Sequence, residues 1–421
     1  MFAVLALLIA PRALTLDDAV AIAARKNPQA LVAVAEAARA ETVNHQALSL
    51  FQPVVEGRTT FQWNDKRIVF DPLNTGNGPV LQPHWTLNYQ LSASENLALY
   101  GPALPLLRQA RATTRAAAAL SSEAKLEAGF AAARAYYAAL EADSLAQVAQ
   151  DSRAGAAELL RQTTGRREAG RATEAEVLRA KLRVAESDGA LASAKRAAEE
   201  AHESLVDVLG EPGPFVLSRP PRPASPQEID EPVSLARRPD VGAAREAIAG
   251  ADDARKAAAR QYYPTLTVTG LYSGYTTSDG TLFGQDRTRY TLLGVATIPI
   301  YDGNLKYWQL REKRELVRET TARADAATAI ASADLRRTHR RIAGAREAEQ
   351  LSKERLALAE RARELVSGQY QLGAATQLEL LDSDGALSAA RRDASQAELE
   401  ADVAVLDLRR AMGLPLIEAR P

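Results

Sequence analysis

The sequence has no cysteine, two methionines and four histidines in 421 residues. Without cysteine there is no disulfide scaffold, no thiolate metal site and no lipidated N-terminal cysteine, although an oxidising compartment stays open to the chain. The histidines, His45, His84, His202 and His339, are scattered, and no pair has the short spacing of a metal-binding helix. Nor is there an excess of either charge. The 52 basic residues nearly cancel the 53 acidic ones, giving a net charge of -1, so nothing favours a nucleic-acid partner. Long apolar runs are missing too. No window offers the ~18 uninterrupted apolar residues of a membrane-spanning helix, and any membrane crossing must use strands. The one apolar stretch, MFAVLALLIAPRA at residues 1–13, is too short to span and reads as the remnant of a secretory signal peptide. There is no nucleophile signature, P-loop or Gly-rich loop after a parallel strand, so neither an enzyme nor a cofactor is expected.

What the chain does contain is a repeat. Pro28 to Pro53 and Pro239 to Pro264 each bracket a helical segment closed by proline and followed by β-rich sequence. Further on, REAGRATEAEVL and YQLGAATQLELL align Gly170 with Gly373 and Thr173 with Thr376, and both run on to a Gly-x-Pro at Gly210 and Gly413. This is a tandem duplication. The first repeat covers residues 14–210 and the second 235–421, joined by the Pro-rich segment EPGPFVLSRPPRPASPQEIDEP within 211–234.

Each repeat reads as helix, two strands, very long helix, interruption and return helix. The strands fall near 53–64, 84–95, 264–275 and 289–300. In HWTLNYQLSAS, Trp85, Leu87, Tyr89, Leu91 and Ala93 alternate with Thr86, Asn88, Gln90, Ser92 and Ser94. VEGRTTFQWN sets Val55, Phe61 and Trp63 against Glu56, Arg58, Thr60, Gln62 and Asn64. The second pair, TLTVTGLYSGY and RYTLLGVATIPI, alternates less cleanly. Alternation alone fits a one-sided soluble sheet as well as a membrane barrel. Two features favour the barrel: aromatic residues at strand ends, Trp63, Trp85 and Tyr290, resemble an interfacial girdle, and no amphipathic helix is left to cover the sheet. Four strands cannot close a barrel, which takes about eight, so the barrel reading is also an oligomer reading.

The long helices, about residues 101–164 and 303–367, would each run on the order of 95 to 100 Å at ~1.5 Å per residue. Leu351, Leu358 and Leu365, and Leu399, Val403 and Leu406, form narrow seams suited to coiled-coil pairing. After such a length the chain has to turn back. A glycine able to adopt left-handed backbone, followed three residues later by a helix-capping threonine, is a hairpin tip: Gly170 with Thr173, at 168–178, and Gly373 with Thr376, at 371–381. A soluble coiled-coil scaffold in the periplasm would explain the seams but leave the strands idle; a substrate-binding surface protein is a third class.

These stretches resemble the TolC-like outer-membrane factors of Gram-negative efflux pumps and secretion systems. LTLDDAVAIAARKNP, LARRPDVGAAREAI with QYYPTLTVTG, PIYDG, the paired tips and VLDLRRAMGLP carry the resemblance over nearly the whole chain. It implies a mainly α protein with a membrane β-barrel, built as a homotrimer with a 12-stranded barrel in the outer membrane and a 12-helix tunnel across the periplasm. It implies a passive exit duct whose tips abut a periplasmic adaptor, the membrane fusion protein, and through it an inner-membrane pump of either the RND or the secretion type. It also implies a periplasmic gate: acidic Glu379 and Asp382, six and nine residues beyond Gly373, and Tyr370, latched to Glu176 on the first hairpin. Where secretion-type members carry an arginine two residues after that glycine, this chain has Ala375.

Overall fold

The computed structural model describes residues 12–72, 78–97, 101–226, 230–278 and 288–417. Of the apolar N-terminal stretch, residues 1–11 lie outside that set. The described chain opens with a short strand, β1 (Arg12–Leu14), and Thr15 then caps helix α1 (Leu16–Lys26) by accepting the Asp18 N–H at 3.2 Å. Helix α2 (Pro28–Leu48) follows after Asn27. Strand β2 (Val54–Trp63), the two-stranded ribbon β3 (Ile68–Val69) and β4 (Val80–Gln82), and strand β5 (Trp85–Asn96) come next. Helices α3 (Ala103–Glu168) and α4 (Glu174–Leu209) complete the first repeat, and strand β6 (Phe215–Leu217) lies in the connection. The second repeat is α5 (Glu231–Arg237), α6 (Pro239–Arg260), β7 (Thr265–Thr277), β8 (Thr288–Thr297), α7 (Leu305–Gln371) and α8 (Gln377–Ala411).

Three features differ from the reading of the sequence. The leading helix of each repeat is broken in two, because Pro28 and Pro239 push Asn27 and Arg238 out of helical conformation, to ψ of 131° and 126°. Between the first two expected strands, where no further element is expected, the structure has the β3–β4 ribbon. The connection between repeats is stitched down: β1 pairs in parallel with β6, Arg12 opposite Phe215 and Leu14 opposite Leu217.

Two compact units are present. One, Ala37–Ala116 with Ala244–Ala324, contains a four-stranded antiparallel sheet in the order β2-β5-β7-β8. Its register sorts the side chains. Val55, Phe61 and Trp63 share a face with Ala93, Leu87 and Trp85; through Leu91 opposite Tyr272 and Tyr272 opposite Tyr290, that face continues across β7 and β8. The opposite face is polar on β2 and β5, with Glu56, Arg58, Asn88 and Gln90, and mixed on β7 and β8, where Leu271 and Leu293 interrupt the threonines. Every residue of β2 is exposed on both faces.

The other unit, Met1–Glu36, Ala117–Ala243 and Asp325–Pro421, holds the larger core. Leu14, Leu16, Phe130, Tyr136, Leu205, Leu209, Phe215, Leu399 and Leu406 pack together, surrounded by alanines that let helix backbones approach closely. The Tyr136 hydroxyl donates to the Leu14 carbonyl at 3.0 Å and accepts the Ser218 N–H at 3.0 Å, tying the connection to α3. A second tie is ionic. Arg238, 6% exposed, bonds Asp240 bidentately at 2.8 and 3.0 Å and reaches Asp334 at 3.2 Å. Arg410 meets the same Asp334 at 2.9 Å and Glu127 at 2.7 Å. Together they join α3, α6, α7 and α8. Beside them Glu123 is half-buried near Asp240, and partial burial, with the Asp240 charge second, raises its pKa to about 7. A third tie fixes the Pro-rich connection: Arg222 pairs with Glu349 and, at 3.0 Å, with Glu398.

The two leucine seams part company. Leu399 and Leu406 are buried within the chain, but Leu351, Leu358 and Leu365 on α7 remain 53, 70 and 61% exposed.

Candidate functional site

Both tips are built alike. At the first, Gly170 has φ of +69°, and the chain turns within three residues before Thr173 caps α4. At the second, Gly373 has φ of +78° and Thr376 caps α8. A Cβ on either glycine would meet nothing within 4 Å, so the left-handed backbone alone calls for glycine there.

Each cap is a reciprocal capping box. The Thr173 hydroxyl accepts the Glu176 N–H at 3.3 Å while the Glu176 carboxylate accepts the Thr173 N–H at 2.6 Å. Thr376 and Glu379 repeat this at 3.2 and 2.7 Å. These bonds to the ionised form hold the Glu379 carboxyl below its ordinary pKa, the backbone N–H of Thr376 being the larger cause. The sequence reading has Thr173 and Thr376 as caps, and the structure adds Glu176 and Glu379 as the reciprocal half of each box, a role that the spacing Thr-x-x-Glu also signals.

Within this single chain no hydrogen bond links Tyr370 to Glu176, the pair of the implied latch. The Glu176 carboxylate is occupied by its own cap, and Tyr370 is buried against Leu159 and Leu380 with the Arg166 guanidinium 4.8 Å from its ring centroid. What joins the hairpins instead is Gln377, 3% exposed, whose side-chain amide donates to the Glu176 carbonyl at 3.0 Å. Its amide oxygen is buried without a partner.

Glu379 and Asp382, three residues apart, lie on one side of α8 and are both exposed. Asp382 has no ion-pair or hydrogen-bond partner among the described residues, so its charge is free to act on a solute. No group of three metal-ligating side chains occurs among the described residues. On the sheet, Trp63 pairs with Trp85 at the loop end, whereas Tyr290 lies opposite Tyr272, in the row of Leu91, six residues along β5 from Trp85.

Comparison with known proteins bears on what such an arrangement is for. Residues 232–414 match the model of the outer membrane efflux protein family. Over 269 residues the chain is 30% identical to the pyoverdine export outer membrane protein OpmQ of Pseudomonas aeruginosa, an alignment covering 61% of this chain and 54% of OpmQ, about half that relative's length. The fold is similar to the outer membrane channel CmeC of Campylobacter jejuni, with TM-score 0.82, 17% identity, and 94% of this chain and 85% of that one covered. It is also similar to the outer membrane protein VceC of Vibrio cholerae, with TM-score 0.78, 18% identity, and coverage of 96% and 97%.

Proposed function

We propose that this chain, whose residues 232–414 match the model of the outer membrane efflux protein family, is one protomer of a trimeric exit duct. In this reading three copies each give four strands to a 12-stranded barrel in the outer membrane and four helical segments to a 12-helix periplasmic tunnel. The duct is passive. It receives solute from an inner-membrane pump through a periplasmic adaptor that meets the tips around Gly170, Thr173, Gly373 and Thr376.

The observation that carries the reading is the sheet: one face is apolar and aromatic and uncovered, and the outer edges of β2 and β8 have no partner strand among the described residues. An exposed edge of ten residues is a site for pairing with another copy, and lipid is the medium in which the uncovered apolar face is stable. The exposed seam Leu351, Leu358 and Leu365 supports the same stoichiometry from the helices. A coiled-coil scaffold without a pore leaves both sheet edges unexplained.

Within the duct, Glu379 and Asp382 give six carboxylates around the periplasmic mouth, which favours cations there. Trp63 and Trp85 sit at the lipid-water boundary at the loop end, with Tyr290 on the same apolar face further along the strands. Pyoverdine, which OpmQ is named for exporting, is one candidate load, and the pump upstream sets it. Analytical ultracentrifugation in detergent tests the stoichiometry: trimers are expected, and a stable monomer that stays soluble without detergent would refute it.

A further inference from the structure

The passage from β8 into α7 is dense with exposed apolar side chains. Ile300 and Tyr301 are 95 and 80% exposed, Tyr307 and Trp308 are exposed on the first turn of α7, and Tyr263 is exposed between α6 and β7. Gly303 and Asn304, both left-handed at φ of 71° and 68°, turn the chain into the helix, and the Asp302 carboxylate accepts the Lys306 N–H at 3.1 Å. The corresponding first turn of α3 carries no aromatic residue.

Cations are interleaved with these rings. Lys306 Nζ lies 5.9 Å from the centroid of Tyr262, and the Arg311 guanidinium 5.5 Å from that of Trp308. Arg314 follows one turn on. The next cations along the helix are matched: Lys313 to Glu312 at 2.9 Å and Arg318 to Glu315 at 3.0 Å. Lys306, Arg311 and Arg314 have no carboxylate partner among the described residues. Amphipathic aromatics at a strand end, with unpaired cations on flexible stems just beyond, match the two layers of a membrane interface: rings at the depth of the glycerol backbone and cations at the phosphate.

We propose that this junction, Ile300 to Arg314, is a docking surface for anionic phospholipid, with Trp308 and Tyr307 among the upper acyl chains and Arg311, Arg314 and Lys306 on the headgroup phosphate. The charge selects the lipid, since a zwitterionic headgroup returns part of the attraction as repulsion. The inference rests on the membrane reading of the sheet and specifies which lipid the sheet's helix-side margin holds.

Tryptophan quenching by brominated lipid tests it, because the chain has only Trp63, Trp85 and Trp308. In a Trp63→Phe, Trp85→Phe background, brominated phosphatidylglycerol is expected to quench Trp308 in the detergent-solubilised protein at far lower lipid ratios than brominated phosphatidylcholine, with the gap narrowing as salt rises. Replacing Arg311 and Arg314 by Gln should cut the preference about twenty-five-fold, at about fivefold per cation, whereas the two Lys replacements should keep it. Arg318→Gln, at a paired cation, should change nothing. Equal quenching by the two lipids, a preference that survives the Gln pair, displacement by inorganic phosphate, or a Trp308 that no lipid reaches would each overturn the proposal. The membrane reading is checked separately in Trp308→Phe: quenching of Trp63 and Trp85 there, with Trp308 unquenched in the other variant, sinks this inference alone.

Discussion

Truncating Leu358 and Leu365 to alanine separates a seam that serves the protomer from one that joins protomers. Burying a whole leucine side chain stabilises by about 1.5 to 3 kcal/mol. With 70 and 61% of these two residues still exposed in the single chain, roughly 1 to 2 kcal/mol at each site is left for a neighbouring copy to claim. The double variant should therefore lose about 2 to 4 kcal/mol per protomer interface and about three times that per trimer, if the interfaces act independently. Leu399→Ala, at a residue 5% exposed, is the contrast: it opens a cavity inside the chain and should cost the protomer itself about 2 to 5 kcal/mol. The assay is thermal dissociation of the purified oligomer, followed by semi-native electrophoresis, alongside helix melting by circular dichroism. The Leu358/Leu365 variant should dissociate at markedly lower temperature with little change in protomer helicity, and Leu399→Ala should lower both together. An oligomer as heat-stable as wild type would mean that the α7 stripe faces solvent in the assembly and that the helices do not pair through it.

Three further outcomes follow from the tips and the ion network. Asp382→Asn should lower cation selectivity in bilayer recordings while leaving the tip intact, whereas Thr376→Ala should cost about 1 kcal/mol of capping and speed hydrogen exchange in the first turn of α8. Tyr370→Phe should leave resting conductance unchanged, because the Tyr370 hydroxyl has no bond to Glu176 to lose; Gln377→Leu, which removes the amide bond to the Glu176 carbonyl, should raise it, and the reverse pattern would restore the tyrosine latch. Glu123, with its pKa raised to about 7, binds a proton more tightly folded than unfolded, so its contribution is fully present below about pH 4.5 and is lost as pH rises to 7 and above. Glu123→Gln should accordingly raise the melting temperature at pH 8 and flatten its decline between pH 5 and 8; a variant as pH-dependent as wild type would show that another group titrates there.

Much of the helix and strand pattern could be read from the chain because each element carries its own signal. Alternation in β2 and β5 is clean, since one face is apolar and the other polar. In β7 and β8 the second face is mixed, with Leu271 and Leu293 among threonines, and the period-2 signal fades accordingly. The tips were legible for a local reason too, a glycine and a capping threonine three residues apart. What escaped depends on contacts across the chain. The β1–β6 pairing joins residues about two hundred positions apart through three residues each. Arg238 sits in a stretch that marked the family resemblance without a stated role, and only folding shows it bonding Asp240 and Asp334 at once. Glu176 shows the opposite case: the resemblance gives it a gate role, while its spacing from Thr173 also announces the capping box that the structure contains.

The claim on which the rest depends is that this chain forms part of a transmembrane duct, and planar-bilayer recording of the purified protein tests it most directly. The account predicts discrete, uniform conductance steps, larger for cations than for anions, appearing only with protein that sediments as a trimer. Trimeric protein that inserts and gives no steps, or a protein that never associates with the bilayer, would contradict it.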